Sequence, residues 1–477
     1  MADNPNTPPS ALEKLATDED ANVRRAAAEN PNTPASFLEK LAADEDKWVR
    51  RAVAGNPNTP ASLLEKLLEK LAADEDKGVR RGAAIGRTRT SFTLPGIQDL
   101  NKDQDEARAL PMGGQYLIVG GPGTGKSVVA LWRARRMAQA GKNYTALVYN
   151  HLLNQANRHL FGTDQTLAAE TWESWIREIV GSFLGTVPTL EPGNAGGYRP
   201  IDWESVEQKI QESTDVQDLS GQYLVIDEGQ DMPPAFYRTL VSLGFENFYV
   251  VADQNQQIYP EKCSSRLELE NILAIDEGET LELSINYRNT HPIARLAEHF
   301  YPDDPASPKP DLPAVAPTAR TPELWTYGTE NTPTLAEIAN KILRLNDRDP
   351  RKLIGIITPN NNVRTKFFDA LRSANPELDN DKPPIQTYSY GQNEALDFGQ
   401  GGLMVINVQS CKGLEFDIAI LADIDRHQPK HDPLSLKKCF YVMVARAREQ
   451  IILLRTGNIC PVVDGLLPTD LNVLVRK

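Results

Sequence analysis

A glycine-rich run, Gly120-Gly121-Pro122-Gly123-Thr124-Gly125-Lys126-Ser127, follows the apolar segment Tyr116–Val119 and precedes a helical stretch from Val128 to Ala138. Strand, glycine loop and helix in that order make a phosphate cradle: the glycines let backbone N–H groups converge on phosphate oxygens, and the helix N-terminus adds positive potential. In such a loop Lys126 reaches the β- and γ-phosphates and the Ser127 hydroxyl ligates Mg²⁺. A second buried-strand pattern, Gln222–Ile226, ends in Asp227-Glu228-Gly229-Gln230-Asp231. Adjacent carboxylates at a strand's C-terminal end supply a metal ligand, Asp227, and a general base for an attacking water, Glu228. Together these two segments describe hydrolysis of a nucleoside triphosphate.

Asp-Glu-x-Gln-Asp resembles motif II of the superfamily 1 helicases related to UvrD, Rep and PcrA, and further motifs follow in that family's order. Upstream, Leu100–Gln104 is similar to the Q motif, whose glutamine reads adenine; Gln104 would do so here, although a polar residue at a helix start is the plainer reading. Leu147–Asn150 lies where motif Ia sits. Val250–Tyr259 resembles motif III. Spacing from Asp253 makes Gln256 the γ-phosphate sensor, with Ile258-Tyr259 in register and Gln254 in reserve. Asn286-Tyr287-Arg288 resembles motif IV, which implies that Tyr287 packs on adenine and Arg288 contacts the γ-phosphate. Val408–Asp417 resembles motif V, which implies Glu415 near the ribose. Tyr441–Arg448 resembles motif VI, with Arg446 as the arginine finger; a surface ion pair with neighbours such as Glu449 is the alternative.

The resemblance implies two RecA-like P-loop NTPase domains with parallel sheets, ATP and Mg²⁺ as ligands, and single-stranded DNA as the track, RNA being a further option. It also has departures. Asn407 and Gln409 stand where motif V carries Thr-x-His, Ala445 replaces a Thr in motif VI, and Tyr259-Pro260-Glu261 replaces base-stacking features. Only about 50 residues separate Ile354–Ile357 from motif V, so the large duplex-engaging insertion of full-size relatives is missing. A net charge of −14 also weighs against a broadly basic binding surface. A nucleotide switch or scaffold that hydrolyses ATP without unwinding is therefore the competing expectation.

The front of the chain is built differently. Asn-Pro-Asn-Thr-Pro occurs at 4–8, 30–34 and 56–60, and Val-Arg-Arg at 23–25, 49–51 and 79–81, with a duplicated Leu-Leu-Glu-Lys at 63–70 in the third unit. A fixed period means stacked helical units. Each unit reads as two short helices: Thr33 caps the first, with Leu38 and Leu41 inward, and Asp44-Glu45-Asp46 leads into a second carrying Val49 and Val53. These units are similar to the variant leucine-rich repeats, an all-α repeat array whose extended face suits a protein partner.

The expected division is repeats over 1–86, a linker over 87–97, a first RecA-like domain over 98–280 with a small insertion at about 155–218, and a second over 281–477. In the insertion Trp172, Trp175 and Trp203 read as core. No apolar run spans a membrane, no secretory leader precedes the chain, and the four cysteines lack metal-site spacing, which together point to the cytoplasm.

Overall fold

The computed structural model describes residues 7–30, 32–56, 59, 97–149, 169–192, 198–213, 219–257, 263–276, 279–303, 306–388, 396–398, 401–428 and 433–477. The third repeat, the linker up to residue 96, Asn150 and Ile258-Tyr259 lie outside the described residues.

Four short helices open the chain: α1 (Pro9–Leu15), α2 (Ala21–Glu29), α3 (Ala35–Leu41) and α4 (Lys47–Gly55). Leu38, Leu41, Val49 and Val53 face one small core, as their spacing predicts. Asp46 caps α4 by accepting from the Trp48 and Val49 amides. Thr33 does not cap α3; its hydroxyl turns back to the Ala27 carbonyl at 2.6 Å, and Thr59 does the same to Val53. Asn56 then donates to Ala28 O and Asn30 O at 2.7 and 2.8 Å. The repeated Asn and Thr therefore close the turn between units, where buried carbonyls need donors. Arg24 grips Asp44 of the next unit at 2.7 Å, an ion pair within the array.

Six parallel strands form the next sheet: β1 (Gln115–Gly120), β2 (Tyr144–Val148), β3 (Ala169–Thr171), β4 (Tyr223–Ile226), β5 (Asn247–Ala252) and β6 (Thr280–Leu283), in the order β3-β2-β4-β5-β1-β6. Their near-continuous apolar runs suit strands covered on both faces. Helix α5 (Lys102–Ala109) and helix α6 (Lys126–Gln139) pack on one face. On the other face lie α7 (Trp172–Leu184), α8 (Trp203–Glu212) and α9 (Pro234–Ser242). Trp175 is buried there, and Trp172 and Trp203 stack on each other against the same core.

A second sheet of seven parallel strands holds β7 (Glu323–Tyr327), β8 (Leu353–Thr358), β9 (Ile385–Thr387), β10 (Gly402–Asn407), β11 (Phe416–Leu421), β12 (Ala447–Thr456) and β13 (Val475–Arg476), in the order β13-β7-β12-β11-β8-β10-β9. Helix α10 (His291–His299) and helix α11 (Pro433–Val444) cover one of its faces. The architecture is thus two parallel-sheet α/β units behind a helical array, the expected fold class. Among the described residues no helix is long and apolar enough to cross a membrane.

His427, just after β11, is buried beside Phe440, and its Nε2 meets no partner. Burial holds its pKa down at about 4, against an ordinary 6.5, with Asp425 only partly offsetting this. Below pH 6.5 the unfolded chain therefore binds a proton that the folded chain refuses. Stability from this site is intact above 6.5 and is lost as pH falls toward 4, by about 3 kcal/mol at full extent. Urea unfolding from pH 7 down to pH 4.5 should show a shallower loss for His427→Phe than for the unaltered chain. Equal slopes would reject this account of His427.

Candidate functional site

Parallel sheets bind ligands at the carboxyl ends of their strands. In the first sheet β5 lies between β1 and β4, so three loops meet at that edge. The glycine loop leaves β1, Asp227-Glu228 leaves β4, and Asp253 to Gln256 leaves β5. Gly123 and Gly125 have φ of 80° and 87°, which only glycine adopts without strain. The residues from Gly120 to Thr124 are buried, and Lys126 opens α6. Its Nζ donates to Gly120 O and Gly121 O at 2.8 Å and lies 3.8 Å from Asp253 Oδ2. Burial pulls its pKa down, against the pull of Asp253 and Glu228.

Ser127 lies near enough to Asp227 to oppose the rise in its pKa, so a hydroxyl and a carboxylate stand together, a donor set that suits a hard cation. Burial and the adjacent Glu228 push Asp227 up to about 7. Glu228 moves the other way: burial would raise it, but Lys126, Arg446 and Gln230 hold it below the usual range. Its backbone is left-handed, φ 54°, a conformation that costs a non-glycine residue about 1–2 kcal/mol. That turn aims the carboxylate away from Asp227 and onto Gln230 Nε2 at 2.7 Å.

The opposite wall comes from the second sheet. Arg446 follows α11 and is 1% exposed, which removes the surface ion-pair alternative. It donates through Nε to Val442 O at 3.0 Å, and through Nη2 to Gln256 Oε1 on the first sheet. Gln256 in turn donates to Asp253 Oδ2 at 2.7 Å. Gln254 turns away, toward Ser264, Gln257 and Arg266. Of the two glutamines the structure therefore brings only Gln256 to the arginine.

Arg288 pairs with Glu415. Opposed to its burial, Arg288 and Arg448 keep the Glu415 carboxyl below its ordinary pKa. Among the described residues the buried Arg288 Nε meets no acceptor. Gln104 is the N3 residue of a capping box on α5: its Oε1 accepts from Asn101 N at 3.1 Å, and its Nε2 donates to Thr124 O of the glycine loop at 2.9 Å. The helix-start reading of Gln104 is thus present, together with contact to the loop. Tyr287 is 54% exposed beside that loop: its N–H donates to Gly123 O at 2.9 Å, and its hydroxyl accepts from Asn101 Nδ2 at 2.7 Å.

Three features went unassigned in the sequence. Gln230 bridges Glu228 and the Asp253 amide, which it accepts at 2.9 Å. Lys412 and Asp231 form a buried ion pair across the two units at 2.6 Å. Lys412 also lies 5.5 Å from the ring of Tyr149, in the motif Ia segment. Asn101, which orients Tyr287, is the third. Gln230 and Lys412 stand inside quoted motifs, which was the available signal.

Residues 402–454 match the UvrD-like helicase C-terminal domain, and residues 104–262 match an AAA domain model. Over residues 402–454 the chain is thus similar to the UvrD-like helicases. The UvrD-like match covers β10, the Lys412–Glu415 loop, β11, α11 and Arg446. Residues 21–46, in front of the two parallel sheets, match the leucine rich repeat variant. Among solved structures, the C-terminal domain of a possible DNA helicase from Lactobacillus plantarum is similar at 17% identity and a TM-score of 0.27, over 40% of this chain and 98% of that one. No curated protein matches the chain.

Proposed function

We propose that this chain hydrolyses ATP between its two sheets and uses the cycle to move along single-stranded nucleic acid, DNA in the first instance. The observation that carries the reading is the Arg446–Gln256 contact. An arginine of the second sheet is buried against a first-sheet loop that adjoins Lys126 and, through Gln230, Glu228. A site with its base on one wall and its finger on the other works only when the cleft is closed.

In this reading the loop backbone and Lys126 bind the β- and γ-phosphates. To do so Lys126 exchanges its bonds to Gly120 O and Gly121 O for phosphate oxygens. Glu228 accepts a proton from the attacking water. Arg446 and Arg288 take up charge on the transferring phosphoryl group. Gln256 relays the position of Arg446 to Asp253 beside Lys126. Tyr287 covers adenine, and Glu415, freed from Arg288, faces the ribose. Gln104 fixes the loop and the adenine edge. Ser127 and Asp227 would hold Mg²⁺, which supplies positive charge beside the phosphates when bound.

The repeats serve as a docking face for a protein partner. The second reading, a nucleotide switch without unwinding, is favoured by one observation. Asn407, at the motif V position expected to grip the strand, is engaged inside its own domain, with Thr358 at 2.9 Å and Asn361 at 2.7 Å.

ATPase rates with and without single-stranded DNA or RNA separate the two. The motor reading expects strong stimulation by DNA, falling as salt rises. Hydrolysis that ignores every polynucleotide would leave the switch.

A further inference from the structure

The connection from α10 to β7 crosses the site instead of bypassing it. Ser307 is 1% exposed. Its hydroxyl donates to Asp253 Oδ1 at 3.0 Å, while its carbonyl accepts from the Tyr301 hydroxyl at 2.7 Å. Three residues on, the Pro310 ring covers Gly121 of the glycine loop so closely that a Cβ there would strike it. Asp311 N then donates to Ser284 O at 2.8 Å, just past β6. The strap is stiff, because Pro308 and Pro310 flank Lys309 and fix φ on both sides.

Asp253 is fully buried and is the junction of the site. Oδ1 takes the Ser307 hydroxyl and the Asn255 amide; Oδ2 takes Gln256 and faces Lys126. We propose that Ser307 is a positioning residue for ATP hydrolysis, holding the Asp253 carboxylate in the plane that lets Gln256 carry Arg446 to the reacting phosphates. The physical reason is rotation. With two donors on Oδ1, the carboxylate must present Oδ2 to Gln256. With one donor lost, the carboxylate is free to rotate, and Oδ2 no longer holds the Gln256 amide in line with Arg446. A hydrogen bond to a charged group in a buried site is strong enough to set that orientation.

This inference rests on the hydrolysis reading, so the unaltered chain and Glu228→Gln are assayed first. Absence of Glu228-dependent hydrolysis would overturn both. With hydrolysis present, Ser307→Ala should lower kcat about tenfold while KM for ATP moves less than about threefold. Ser307→Thr, which keeps the hydroxyl, should recover most of the loss. In a Gln256→Ala background, Ser307→Ala should cost less than about twofold, because the two act in series. Three results would each overturn the positioning role alone: kcat of Ser307→Ala within about twofold of the unaltered chain, Ser307→Thr as slow as Ser307→Ala, or losses that multiply in the double variant.

Discussion

Replacing Arg446 by alanine is expected to lower kcat for ATP hydrolysis by about 10³–10⁵-fold, the range typical of an arginine finger. The expectation follows from where the guanidinium sits. It is buried, held on its own domain by Val442 O and across the cleft by Gln256. Its charge bears on Glu228, Arg288 and Glu415. Alanine removes a positive charge from a water-poor site, where such a charge is worth far more than in solvent. It also leaves Gln256 without its donor. Nucleotide binding should suffer much less, because the lysine and the loop backbone remain. Single-turnover hydrolysis beside binding of a non-hydrolysable ATP analogue separates the two effects. Arg446→Lys keeps the charge and loses the planar fork, so it should recover little. A loss below about tenfold in Arg446→Ala would remove the finger from the mechanism.

The second large effect is Glu228→Gln, expected to slow hydrolysis by about 10²–10⁴-fold, as loss of a positioned general base does. The substitution changes few atoms. Its amide oxygen can still accept from Gln230, the left-handed backbone is no worse for Gln than for Glu, and the packing volume is kept. ATP affinity should hold or improve, since a negative charge near the phosphates is gone. A trapped, nucleotide-bound state visible by equilibrium binding would accompany the lost turnover. Hydrolysis at near-normal rate in Glu228→Gln would move the base elsewhere in the site.

The chemistry at the strand ends was legible because it is local. Tyr116–Val119 and Tyr223–Ile226 are unbroken apolar runs that end directly in their functional loops, and nothing in the tertiary structure had to be known to pair each strand with its chemistry. Strand order was not legible. That β5 inserts between β1 and β4 is fixed by the long-range pairing of Gln115 with Phe248, yet it sets the Asp253 loop between those of Lys126 and Glu228. At Arg446 the flanking residues left two readings open, since Glu449 nearby suits a surface pair, and only burial decides. Thr33 failed for a different reason. A hydroxyl before a helix can serve the helix ahead or the carbonyl behind, and here the buried Ala27 carbonyl claimed it. Ser307 carried no signal, since Pro-Ala-Ser-Pro-Lys-Pro reads as an ordinary loop until the Asp253 contact is seen.

The Asn and Thr bonds that close each turn of the helical array have a consequence for its history. Asn56 reaches back 26 residues to Asn30 O, one repeat period, and Thr33 and Thr59 make the same bond one period apart. Among the described residues, these donors find their acceptors within their own unit or in the unit before it. An in-frame duplication of 26 codons therefore delivers a segment whose polar groups are already matched to the segment before it. The array can lengthen or shorten in whole steps without any compensating change in the two sheets behind it, so its reach can vary between lineages while the rest of the chain stays fixed.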